Sequence, residues 1–126
     1  MNTDIVRRLI EAFNAMDADA LRPLLDAQAK HSAPGSDFGA DLVGSETIVD
    51  YFRTGVFPAF HSVRFEVVHM YEDQGQGVVV VEWRSHLAPR SGRNYSNTGV
   101  FVVELRGGKV VWVREYFDTE KSHANV

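Results

Sequence analysis

The hydrophobic period of this chain changes once, near Ser62. Upstream, apolar residues recur at helical spacing; downstream, they alternate as in strands. Ile5, Leu9, Ala12, Phe13 and Met16 mark one face of an amphipathic helix, with Asn2 or Thr3 placed to cap it. Asp17 and Asp19 introduce a second, shorter helix carrying Leu21, Leu24 and Leu25, with Pro23 in its first turn. A third helix is predicted from Ser45, with Ile48, Val49, Phe52, Val56 and Phe57 on one side, ending before Pro58. Between the second and third helices, Ser32 to Gly44 reads as a loop.

After the change, Val63, Phe65, Val67, His69 and Tyr71 alternate with Arg64, Glu66, Val68, Met70 and Glu72. Gly75 and Gly77 mark a turn, Val78 to Leu87 and Tyr95 to Leu105 are β-rich, and Pro89 to Asn94 separates them. Gly107-Gly108 forms the last turn before Lys109 to Asp118. Connections this short join antiparallel strands, because a parallel crossover takes a dozen residues or more. The expected fold class is therefore α+β: three N-terminal helices packed on a curved, mostly antiparallel sheet. Residues 1–126 are the size of one domain.

Thirteen Lys and Arg against seventeen Asp and Glu leave a net charge of −4, which argues against nucleic acid as a partner. Apolar runs such as Val78 to Val81 fall far short of the roughly 20 residues of a membrane span. Met1-Asn2-Thr3-Asp4 lacks the basic start of a secretory signal, so the expected location is cytoplasmic. The absence of cysteine removes disulfides, thiolate metal sites and cysteine nucleophiles, and His61 and His69 have no carboxylate beside them to make a metal site. Val110 and Trp112 alternate with Val111 and Val113, so both sheet faces are expected to be apolar. Helices cover one face only, which points to a homodimer through the other, with Trp83, Trp112 and Tyr116 as interface candidates.

Val81-Glu82-Trp83-Arg84, Gly92-Arg93-Asn94-Tyr95-Ser96-Asn97, Gly108-Lys109-Val110-Val111 and Arg114-Glu115-Tyr116-Phe117-Asp118-Thr119 together resemble the SnoaL-like branch of the NTF2-like superfamily. Phe13 to Leu21 resembles that family's first helical hairpin, and His31 to Gly35 its first strand. The resemblance covers nearly the whole chain and implies a cone-shaped barrel enclosing one deep apolar pocket. It carries little about reaction, because relatives include ketosteroid isomerase, limonene epoxide hydrolase, polyketide cyclases and non-enzymatic binding modules.

Alignment with limonene epoxide hydrolase implies that its acidic base falls on Glu115 and its Arg-x-Asp pair on Glu82 and Arg84, in swapped order. Its water-holding tyrosine and asparagine match His31 and Ala33, so one water ligand is lost. Counting strand parity from Glu115 places Phe117, His86, Asn97 and Gly99 inward as well, with Phe13, Met16, Phe52 and Phe57 as apolar wall. The implied chemistry is cofactor-independent acid–base catalysis of isomerase, cyclase or hydrolase type on a small apolar molecule. Glu115 or His31 is the candidate base, and Arg84, held by Glu82 or Glu115, the candidate oxyanion donor. The alternative is a non-catalytic small-molecule-binding or regulatory module, in which the charged residues only pair with one another.

Overall fold

The computed structural model describes residues 1–36 and 41–125. Residues 37–40 of the expected loop lie outside these. The helix α1 spans Asn2–Asn14 and buries Val6, Leu9, Ile10, Ala12 and Phe13, one stripe of the helix. It stops at Asn14 because that side chain is engaged elsewhere: its Nδ2 donates to the Phe65 carbonyl (3.2 Å) and its Oδ1 accepts the Phe65 N–H (2.7 Å). Phe65 lies on the edge strand of the sheet, whose outward backbone groups would otherwise lack partners. Met16 falls beyond the helix end with φ of 50°.

The second expected helix is a 3-10 turn, Asp19–Leu24. Leu25 leaves it in extended conformation and begins strand β1, Leu25–Ser32, well before the expected His31. Leu25 is held there by parallel pairing with Val110, a long-range contact that local spacing does not report. A two-residue strand β2, Leu42–Val43, pairs with β1. The third expected helix is helical throughout but not uniform. It runs as α2, Ser45–Tyr51, then a π-helical stretch Phe52–Val56, then a 3-10 turn Phe57–Ala59 containing Pro58. The wider π spacing brings Phe52, Val56 and Phe57 to one side, where they line the cavity described below.

Four long strands follow: β3 (Phe60–Asp73), β4 (Val78–Pro89), β5 (Tyr95–Arg106) and β6 (Lys109–Phe117). The sheet order is β2-β1-β6-β5-β4-β3, antiparallel except for the β1–β6 pair. Gly107 and Gly108 both have positive φ (58° and 78°), as a two-residue hairpin of the primed type requires. A C-terminal helix α3, Thr119–Asn125, packs its buried Ser122 against the sheet, where a frayed tail would be the simpler sequence reading. Among the described residues, no helix is long and apolar enough to cross a membrane.

Two bulges decide which side chains face the helices. On β3, Val67 pairs with Trp83 and His69 with Glu82, leaving Val68 as an extra residue. His69 and Tyr71 therefore turn outward, their rings 4.3 Å apart, while Met70 packs on the core. On β6, Leu105 pairs with Val110 and Glu104 with Trp112, leaving Val111 extra. Val110 and Val113 are consequently both buried, although they are three apart. The expected alternation of Val110 with Val113 across the sheet fails for this reason.

Candidate functional site

The inner face of β4 consists of Val79, Val81, Trp83 and Ser85, all buried. Their partners on β5 are Val103, Phe101, Gly99 and Asn97, and paired residues of an antiparallel ladder share a face. Glu82, Arg84 and His86 thus lie on the opposite, outer face, together with Val100, Thr98 and Ser96. This corrects the parity expected for all three. His86 contacts Glu66 (3.5 Å) and Ser96 (3.2 Å) there, and Arg84 stands across from Glu66. Trp83, expected outward, faces inward; its indole is too large and apolar to exchange places with Glu82 or Arg84.

The inward side chains and the helices line a small cavity of about 70 Å³. Phe13, Phe52, Phe57 and Phe117 of the expected apolar wall line it. Met16 does not; past the end of α1 it borders a surface groove with Arg53 and Pro58 instead. The aromatic rings interlock: Phe13 lies 5.2 Å from Phe52, and Phe65 stands edge-on to Trp83 at 4.9 Å. Gly99 makes room for the indole. A Cβ at that position would lie 2.6 Å from Trp83 Cζ2 and 2.3 Å from the Tyr116 carbonyl oxygen.

Polar groups are few. His31, on β1, and Glu115, on β6, project into this space, with His31 Nε2 3.4 Å from Glu115 Oε2. The imidazole is 4% exposed and the carboxylate 18%, so the pair sits largely out of water. Phe52 holds the imidazole edge-on, 5.1 Å between ring centres. Burial, and secondarily the negative charge of Glu115, push the neighbouring Tyr51 phenol above its ordinary pKa. Burial raises that of Tyr95 too, partly offset by its hydrogen bond with Ser122.

Asn97 lies on the wall as expected, but its amide is committed. Nδ2 donates to the Asp118 carbonyl at 3.0 Å and Oδ1 accepts the Thr98 N–H at 2.9 Å. Two polar atoms of the wall have no hydrogen-bond partner among the described residues: Trp83 Nε1 and Ser85 Oγ. Each such orphan costs about 1–3 kcal/mol. No Lys or Arg is among the residues lining the cavity. Among the described residues, no cluster of three or more His, Asp or Glu is placed to hold a metal ion. Sequence reasoning missed Ser85, Trp83, Tyr95 and Ser122 as wall residues. Two of these were recoverable: placing Glu82 and Arg84 in water turns Trp83 and Ser85 inward.

The SnoaL-like domain family matches residues 6–113. The chain belongs to that family. No curated protein matches the sequence. Among solved structures, an NTF2-like protein of unknown function from Burkholderia pseudomallei shares the fold with a TM-score of 0.87 and 21% identity, over 98% of this chain and 95% of that one. Bal32a, from a soil-derived mobile gene cassette, is 30% identical with a TM-score of 0.78, over 92% and 88% of the two chains. An LEH-like epoxide hydrolase of M. tuberculosis has a TM-score of 0.76 at 18% identity, over 98% and 86%. This SnoaL-like chain thus shares a hydrolase's fold, while its own pocket-facing set is His31, Glu115, Ser85 and Asn97.

Proposed function

We propose that this SnoaL-like protein is a small-molecule enzyme in which Glu115 and His31 act as an acid–base pair on a neutral, ring-bearing ligand. The supporting observation is the placement of one carboxylate against one buried imidazole, 3.4 Å apart, within a wall made chiefly of aromatic rings. A ligand bearing a negative charge would meet Glu115 there with no lining cation to balance it.

The reaction class that suits this set is proton transfer next to a carbonyl, as in isomerisation or aldol-type cyclisation. Glu115 takes the proton from the carbon adjacent to the carbonyl, and the C–H electron pair moves onto the carbonyl oxygen as an enolate. Where the ligand carries a C=C next to that carbon, the anion is a dienolate, and return of the proton to its far carbon moves the double bond into conjugation and completes an isomerisation. His31 holds the carboxylate in position and shares its proton. No external oxidant or cofactor enters the balance. Epoxide hydrolysis is less well served, because the resemblance to limonene epoxide hydrolase puts Ala33 in place of one of its water-holding side chains.

The test compares Glu115→Gln and His31→Gln with Glu82→Gln, an outer-face control, across ketone isomerisation, cyclisation and epoxide-opening assays. Loss of a catalytic proton-transfer group typically removes about 10²–10⁴-fold in rate. Glu115→Gln is expected to show a loss of that order, with Glu82→Gln unchanged. Equal rates for wild type and Glu115→Gln throughout the panel, with ligand still bound, would instead favour a binding module.

A further inference from the structure

Trp83 and Ser85 sit two residues apart on the inner face of β4, 3% and 1% exposed, each with a polar atom that no group among the described residues satisfies. Both line the cavity. Their neighbours do not relieve them. Asn97, directly across from Ser85, has both ends of its amide engaged, and Gly99, across from Trp83, has no side chain to offer. Gly99 also locks the indole, since no larger residue fits beside it. An indole N–H and a hydroxyl that the described residues leave without partners are donors open to an acceptor in the cavity.

Glu115 lies two strands away, paired through Phe101 with Val81, one inward-facing position along from Trp83. At ordinary strand spacings their backbones are at most roughly 12 Å apart.

Resting on the reading above that the cavity receives a small molecule, we propose that Trp83 Nε1 and Ser85 Oγ form a neutral two-donor seat for a ligand's carbonyl oxygen, selecting an aromatic ketone over the hydrocarbon of the same skeleton. The seat supplies by neutral donors what a lining Arg would otherwise provide. It also orients the ring system with its oxygen toward β4 and its reacting carbon toward β6. An enolate formed at Glu115 delivers its charge to that oxygen, so the same two donors serve ground-state selection and charge stabilisation.

The experiment uses 1-tetralone and tetralin, which share a bicyclic skeleton and differ in the carbonyl. Calorimetry on the full chain gives the ratio of their dissociation constants, so that differences in packing cancel. The ratio should fall about fivefold toward tetralin in Ser85→Ala and in Trp83→Phe, the size of one lost neutral hydrogen bond. In ¹⁵N-edited spectra, with Trp112→Phe used for assignment, tetralone and not tetralin should move the Trp83 indole N–H downfield. Glu115→Gln should leave the ratio unchanged, which separates this seat from the acid–base reading: loss of either result leaves the other intact. An unchanged ratio in both wall variants, or an indole resonance indifferent to tetralone, would overturn the proposal.

Discussion

The two tryptophans face opposite sides of one sheet and are treated in opposite ways. Trp112, on the outer face, donates its indole N–H to Ser32 Oγ at 3.1 Å, and its ring is flanked by Lys30 at 4.8 Å and Arg114 at 4.5 Å. Arg114 in turn pairs with Glu104. Trp83, on the inner face, meets only rings and aliphatic neighbours, and its N–H is unpartnered. Around Trp112, therefore, an ion pair, two stacked cations and a hydrogen bond complete one another. The inner face has been left incomplete, and its incompleteness coincides with the cavity.

The sharpest way to break that division is from within. Phe101 is 1% exposed and touches Phe13, Phe65 and Trp83. Phe101→Ala is expected to lower unfolding free energy by about 3–5 kcal/mol in urea titration. Gly99→Ala comes next, by about 2–3 kcal/mol, because its new methyl would overlap a backbone carbonyl that cannot yield cheaply. On the outer face Glu104→Gln breaks the pair with Arg114, yet both groups are partly solvated, so a change under about 1 kcal/mol is expected, shrinking further in salt. A large effect at Glu104 combined with a small one at Gly99 would invert the comparison.

The pH dependence tests the same contrast at still finer grain. Burial holds the Tyr95 and Tyr51 phenols neutral beyond their ordinary range, so above pH about 10 the unfolded chain ionises first and stability falls as pH rises. Tyr95→Phe should flatten that alkaline fall. At the acid end the sign reverses. Asp19 and Glu46 are held below their usual values by hydrogen bonds from Arg22, with Arg53 assisting Asp19, so what they contribute is present above pH about 4.5 and fades below it. These groups are fully exposed, and Arg22→Gln should alter the acid limb only slightly.

The helical region, the long strands and the hairpin at Gly107-Gly108 were legible in the sequence, because each is a local pattern. So was the inward face of Phe117 and Glu115, although that reading came from a family alignment. The start of β1 was not, since Leu25 becomes a strand only through its parallel partner Val110. Nor was the parity of β4. Four consecutive valines, Val78 to Val81, give no alternation to count, and transferring a hydrolase's Arg-x-Asp positions set the count one residue off. The charges themselves held the better evidence: Glu82 and Arg84 bracket a tryptophan, and water is where two unpaired charges on one strand face belong.

Val111 gives β6 one residue more than β5 can pair, and where that surplus sits decides which side chains enter the hollow. Were the kink to migrate past Glu115, Trp112 and Arg114 would swing into the hollow while Val113 and the acid swung out, with every amino acid unchanged. Proteins built on this scaffold can therefore trade one reactive inventory for another by shifting where a strand stumbles, a kind of divergence invisible to column-by-column comparison of their sequences.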